Sequence, residues 1–242
     1  MSVHSATGFG VPGIDDFDRG RVTNPDQSEI QRQGLFDSLL YPAAGQALLS
    51  FFSFPIGQGV TTTIGAVVGT TKSGWDTNLQ LPNQLPSGKA FQIQSLEMAF
   101  EPGLSAAANT FTLAVPSVFA AAAAASVLAA LNDVYTFYMT GRLQLQVLDK
   151  FYIDESPLVQ FPPLTGVTLD SAIASNSATV GETAAWAGRG AGRPYVINIP
   201  MTLQPAMNFA INVIYPAAVA LPSGFNGRAR CRLDGYFLRS TQ

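Results

Sequence analysis

The alternation of apolar and polar positions along this chain is that of strands, and it recurs from residue 46 almost to the end. In "YVINIPMTL", Tyr195, Ile197, Ile199, Met201 and Leu203 fall on one face, and in "MNFAINVIYP" Met207, Phe209, Ile211 and Val213 do the same. A period of two is the signature of a strand with one buried side. "GRLQLQVLDKFYI" sets Leu143, Leu145, Val147, Phe151 and Ile153 against Arg142, Gln144, Gln146 and Lys150. "FQIQSLEMAFE" starts with Phe91 and Ile93 in phase and continues with Leu96, Met98 and Phe100 out of phase. That change predicts a bulge near Ser95. In the closing "RARCRLDGYFLRS", Arg228, Arg230 and Arg232 alternate with Ala229, Cys231 and Leu233. The pattern predicts a strand with a cationic outer face and an apolar inner one, broken near Gly235.

Other segments are less regular. "QALLSFFSF" (46–54) is apolar on both faces and reads as a fully buried strand, and the β-branched "GVTTTIGAVVGTT" (59–71) as an edge strand. "NTFTLAVP" (109–116) is a short strand candidate. Residues 72–89 form a long polar loop, "LVQFPPLTG" (158–166) is extended, and "QPA" (204–206) is a tight turn. "GETAAWAG" is read as a short helix and "GRGAGR" (188–193) as a glycine hinge. The alanine-rich run from Ser117 to Leu131 predicts one short helix, capped by Ser117 and ended by Asn132. Fifteen helical residues span roughly 22 Å, short of a ~30 Å hydrocarbon core.

Residues 1–34 carry Gly, Pro and Asp punctuation without periodicity, yet hold apolar hooks at Val11, Ile14, Phe17 and Val22. They read as an arm that orders against neighbouring subunits, with residues 35–242 as the domain. No βαβ rhythm and no solenoid repeat occurs, which excludes a parallel sheet and a repeat array. The prediction is an all-β chain: an antiparallel β-sandwich of jelly-roll type. A single jelly-roll is favoured over a compact double one, because twice eight strands would have to fit in the 208 residues after the arm.

Composition changes the picture in one respect. Charged residues are only 12% of the 242, against 47% hydrophobic. About a quarter is usual for the charged share, so much of this surface is expected to lie against partners. Charge is also uneven: residues 189–242 hold six arginines and one acid, while residues 35–188 hold ten acids and four bases. A net charge of −3 and no basic tail make a poor general nucleic-acid binder. "MSVHSATGFG" has neither the basic start nor the apolar core of a secretory signal.

Candidate chemistry is sparse. His4 and Cys231 are the sole histidine and cysteine, too few for a Ser-His-Asp or Cys-His site or a zinc centre. The lone thiol allows no intrachain disulfide and falls on the apolar face of its strand. Asp154 and Glu155 could serve as a glycosidase pair, and Trp75 and Trp186 as sugar platforms. "DDFDRG" lacks the spacing and closing Glu of a calcium loop, and "GRGAGR" lacks the Lys-Ser/Thr of a phosphate loop. No catalytic residue, cofactor or metal is predicted.

"LLSFFSFPIG", "WDTNLQLPNQLPSGKAFQIQSLEMAF", "GRLQLQVLDKFYIDESPLVQFPP", "YVINIPMTLQPAMNFAINVIYP" and "RCRLDGYFLRSTQ" together resemble the jelly-roll major capsid proteins of tailless icosahedral bacteriophages. The resemblance covers about residues 46–101 and 134–242, and the alanine segment departs from it. It implies a non-enzymatic virion subunit, made in the host cytoplasm, whose partner is itself in trimers or pentamers, with other capsid proteins as further partners. It carries no specific nucleic-acid binding and gives no sign of contact with an internal membrane. Candidate subunit-contact residues are Arg228, Arg230, Arg232, Arg189, Arg193, Phe17 and Ile14. Acids facing the arginines are expected from a neighbouring subunit or from another strand, and as partners at subunit contacts the acids of adjacent subunits are favoured over packaged nucleic acid. The alternative is a carbohydrate-binding or hydrolytic β-sandwich.

Overall fold

The computed structural model describes residues 28–62, 69–103, 121–161, 168–174, 183–189 and 194–240. They form two antiparallel sheets and a separate hairpin, with one α-helix. The first sheet joins β1 (Ser28–Arg32), β2 (Leu35–Tyr41), β4 (Lys89–Glu101), β9 (Tyr195–Leu203) and β11 (Gly227–Ser240). Its order is β1-β11-β4-β9, and β2 follows β1 along the same edge of β11. The second sheet runs β3-β10-β5-β6, from β3 (Leu48–Phe51), β10 (Phe209–Ile214), β5 (Arg142–Val147) and β6 (Lys150–Pro157). β7 (Thr168–Ala174) pairs with β8 (Thr183–Arg189).

The alternation decides which side of each strand is buried. Leu96, Met98 and Phe100 of β4 and Ala229, Cys231 and Leu233 of β11 share one core with Leu143 and Leu145 of β5 and Ile211 and Val213 of β10. The two sheets therefore pack face to face. Cys231 is a free thiol, and burial pushes its pKa up; it is a small core hydrophobe.

The predicted phase change in β4 is present. Asp234 lies opposite Ser95 and Gly235 opposite Ile93, so Gln94 is the extra residue. A Cβ at Gly235 would stand 1.9 Å from the Gln92 carbonyl oxygen, so no other residue fits there. Beyond the bulge the outer face turns apolar, where Ile30, Ala90 and Leu238 cluster with Tyr236. Gly235 thus kinks β11 without breaking it.

Several expectations are corrected. α1 (Ala121–Thr140) does not stop at Asn132, and residues 134–140 are not extended. Val134, Phe137 and Tyr138 recur at helical spacing against the core, and Phe137 stacks on Phe100 at 4.5 Å. That burial outweighs a polar Asn on the exposed side of the helix. No described helix is long and apolar enough to cross a membrane. "GETAAWAG" contributes β8 instead of a helix, because β7 supplies a backbone partner along its full length. β3 is shorter than predicted: Leu49 and Phe51 are buried but Leu48 is 48% exposed, and the chain turns at Phe52 with φ 66°. Leu158–Gln160 is a 3-10 turn. Residues 28–32, placed in the arm by sequence, are a strand of the first sheet. The turn at 204–206 carries the chain from one sheet to the other, since β9 and β10 are in different sheets. Residues 109–116, and 63–68 of the predicted edge strand, lie outside the described residues.

Candidate functional site

The outer face of β11 carries Arg228, Arg230 and Arg232, as the alternation predicts. Alternate residues on a strand stand about 6.8 Å apart, so three like charges in a row need compensation. It comes from β4, whose outer positions opposite them are Glu101, Ala99 and Glu97. Arg228 is clamped to Glu101, and its side chain is only 12% exposed. Arg232 reaches Glu97 at 3.6 Å and Asp234 at 3.7 Å. Arg230 faces Ala99, so its guanidinium spans to Glu101 at 4.0 Å and donates to Ser38 Oγ at 3.2 Å. Arg32 extends the row, 71% exposed, with Asp234 at 3.4 Å. Four arginines thus meet three carboxylates, all of this chain.

Of the two expected sources, a neighbouring subunit or another strand, the described acids come from another strand of the same chain, matched in register. Arg230 is the least compensated. Desolvation holds its pKa below the ordinary value, Arg228 adds to this, and Glu101 opposes it. Arg189 ends β8 in the separate hairpin and no described pairing joins that hairpin to β11, while Arg193, Phe17 and Ile14 lie outside the described residues. The geometry therefore unites Arg228, Arg230 and Arg232 and adds Arg32, Glu97 and Glu101. The sequence signal for the acids was present: with the bulge counted, Glu97 and Glu101 fall on the outer face.

The opposite outer face is different in kind. Asn212 of β10 lies between Ser50 of β3 and Gln144 of β5 in register. Ser50 Oγ donates to Asn212 Oδ1 at 2.8 Å, and Gln144 donates to Asp154 Oδ1 at 3.1 Å. The centre of this face is an amide ladder, with Arg142, Asp154 and Glu155 as charges toward its β6 side. The carboxylate pair proposed by sequence sits at its edge: Asp154 accepts from Gln144, and exposed Glu155 pairs with Arg142 at 3.3 Å. Neither lines the cleft described below, and both are committed to neighbours on the sheet surface.

A third feature lies between β3 and β4, where the described residues 52–62 and 69–88 leave the sandwich and pack against its edge. The Asn78 amide and the Phe36 backbone bond reciprocally, and Asp37 bridges to Thr77. Two carboxylates organise the excursion. Asp37, core-facing on β2, binds Lys72 Nζ at 2.6 Å and accepts the Phe52 N–H at 2.7 Å. The Lys72 and Asp37 side chains are 1% and 0% exposed. Burial raises the Asp37 pKa, and Lys72 opposes the rise. Asp76 accepts Thr61 Oγ1 at 2.6 Å, Thr62 N–H at 2.7 Å, Thr62 Oγ1 at 2.6 Å and Ser73 N–H at 2.9 Å. Burial alone would raise its pKa, but these donors together hold it below the usual value. Between the two anchors stands Trp75, 81% exposed. Beside it is a cleft of about 260 Å³, lined by Ile56, Gly74, Leu79, Leu85, Pro86 and Phe237 with Lys89 also on its wall. Trp186 is in β8.

No family model, no curated protein and no solved structure matches the chain.

Proposed function

We propose that this chain is a structural capsid subunit, a single jelly-roll that assembles with copies of itself into the icosahedral shell of a virus, of the tailless bacteriophage kind. The observation that carries the reading is the strand order. Counted with β1 and β2 as one interrupted strand, and the β7-β8 hairpin as an insertion, the eight strands pair first with last, second with seventh, third with sixth and fourth with fifth. Pairs of that kind, wrapped into two four-stranded layers, are the jelly-roll wind. Apart from the β7-β8 hairpin, the described strands are accounted for by one such wind, which supports a single roll over a double one. A surface poor in charge, with large apolar side chains exposed at Leu48, Phe54, Ile56, Trp75 and Phe151, is consistent with a subunit that is covered in use.

Electron microscopy and native mass measurement of the purified protein test this. Closed particles or capsomer-sized oligomers are expected. A chain that stays monomeric at high concentration refutes it. The second reading, a carbohydrate-binding sandwich, is favoured by exposed Trp75 beside a cleft, and glycan binding by such a monomer would establish it.

A further inference from the structure

We propose that Trp75 is a subunit-contact knob, and that the cleft beside it is the socket for Trp75 of a second copy of this chain. The inference rests on the self-assembly reading and specifies a contact within it.

Three observations converge. Trp75 is the most exposed large hydrophobic residue among those described, at 81%. It is also rigidly presented. Asp76 on its C-terminal side is fixed by donors from Thr61, Thr62 and Ser73, and Lys72 is locked to Asp37. Backbone bonds from Asp76 N and Thr77 N to Ser73 O close the turn at 3.0 and 3.2 Å, and Trp75 N–H donates to Ser73 Oγ. An exposed aromatic on a fixed turn is a partly pre-organised anchor, because the backbone that presents it has little freedom left to lose on docking.

The cleft fits one apolar side chain better than a polar ligand. At about 260 Å³ it lies below the roughly 300–1,000 Å³ of small-molecule sites. Its apolar wall is Ile56, Leu79, Leu85, Pro86 and Phe237. Several of its polar side chains are already engaged within the protein. Asn78 serves Phe36 N–H and Gly34 O; Thr77 Oγ1 donates to Phe36 O and accepts Leu79 N–H; Gln80 accepts from Lys89. No carboxylate lines it. A sugar would find few groups to read its hydroxyls, whereas an indole would find apolar walls and a lysine ammonium suited to an aromatic face.

The occupant is a second copy because the same excursion presents both parts. Gly74 lines the socket and Trp75, the next residue, is the knob. A knob beside its own socket is the self-complementary patch of a two-fold contact, in which each copy gives and receives one side chain. The exposed Phe54, Ile56 and Val60 of the same excursion extend the apolar rim.

The test uses the full chain with Trp186→Phe, so that Trp75 is the sole tryptophan. In the assembled protein, Trp75 emission should be blue-shifted and shielded from acrylamide relative to the dissociated chain. Trp75→Ala should raise the concentration needed for assembly about 30-fold, the scale of a hot-spot residue. Gly74→Phe plugs the socket; a Cβ there meets nothing within 4 Å, so the fold tolerates it, and an unchanged unfolding midpoint checks this. Each variant alone should fail to assemble at the wild-type threshold, while a mixture should recover part of the loss, since in a mixed pair one of the two knobs still finds an open socket. A mixture that stays dissociated overturns the proposal. So does Trp75 that remains quenchable in the assembled protein, or shielding that appears only when a saccharide is added to monomer. If the wild-type chain assembles and Trp75→Ala assembles equally well, the knob fails while the shell reading stands. If the wild type never assembles, both fail.

Discussion

The Lys72–Asp37 pair offers the sharpest energetic prediction. Replacing Lys72 with Met keeps the aliphatic stem but strands a carboxylate in the core. Breaking a buried pair from one side costs about 3–5 kcal/mol, and with 1% and 0% exposure neither partner has solvent to fall back on. Asp37→Asn should cost a similar amount, by leaving the buried ammonium without its counter-charge. Removing both charges, as Asp37→Leu with Lys72→Met, should recover much of the loss, since apolar replacement of a buried pair is often neutral. The recovery stays incomplete because the Phe52 N–H then loses its acceptor, at about 1–3 kcal/mol. The Lys72→Met deficit must also depend on pH. Burial already raises the Asp37 pKa above its unfolded value, and without Lys72 the largest influence opposing that rise is gone, leaving only the hydrogen bonds from Phe52 and Thr77. A raised carboxylate pKa stabilises the fold below the unfolded pKa and loses that contribution as pH climbs toward the folded one. The deficit should therefore be largest at neutral pH and shrink in acid. Guanidinium unfolding of the single and double variants at pH 7 and pH 4.5 measures all of this. A single-variant loss below ~1 kcal/mol, or a double variant as damaged as the sum of the singles, would refute the reasoning.

Other predictions follow from the same geometry. Asp76→Ala should destabilise by ~3 kcal/mol or more as several buried donors lose one acceptor, and Asp76→Asn by less; because its pKa is lowered, its contribution holds above 3.8 and fades as pH falls through the folded value, which acid titration of thermal unfolding tests. Asp133 is fully buried with Oδ1 on the Ser223 N–H and Oδ2 unpaired, and burial raises its pKa; Asp133→Asn should therefore gain about 1 kcal/mol at pH 7, an advantage that disappears in acid, and a loss at neutral pH would show that Oδ2 is engaged. Arg230→Gln should leave stability within ~0.5 kcal/mol, given its 4.0 Å ion pair, yet weaken assembly and flatten its salt dependence. Unchanged light-scattering onset across salt concentrations would remove Arg230 from the contact.

Much of the sandwich was legible because its strands obey a period of two. The inward row Ala229, Cys231, Leu233 and Phe237 and the phase change in β4 followed from counting alone. What escaped was set by distant partners. Residues 134–140 have β-branched and aromatic character, yet burial of Phe137 against Phe100 makes them helical. β8 is alanine-rich and locally undecided, and its pairing with β7 settles it. The ionic centre was invisible for the same reason: Asp37 and Lys72 lie 35 residues apart, one in a segment without a predicted element and the other in a polar loop. The arginine row was visible and another strand was among the expected sources of its acids, but which strand could not be told, because pairing between β4 and β11 cannot be read from either strand alone.

The closure of β1 and β2 onto β11 has a consequence in time. Ser28 pairs with Ser240 and Tyr41 with Gly227, so the first sheet joins strands separated by about 200 residues. The second waits likewise, since β3 and β5 meet only through β10. On a ribosome neither layer can close until nearly the whole chain has emerged, and non-local pairing of this kind is slow. Throughout that interval the apolar strands stand open with few charges to keep nascent chains apart. High synthesis rates should therefore divert this chain into aggregates unless chaperones hold it, and cooler expression should raise the folded yield.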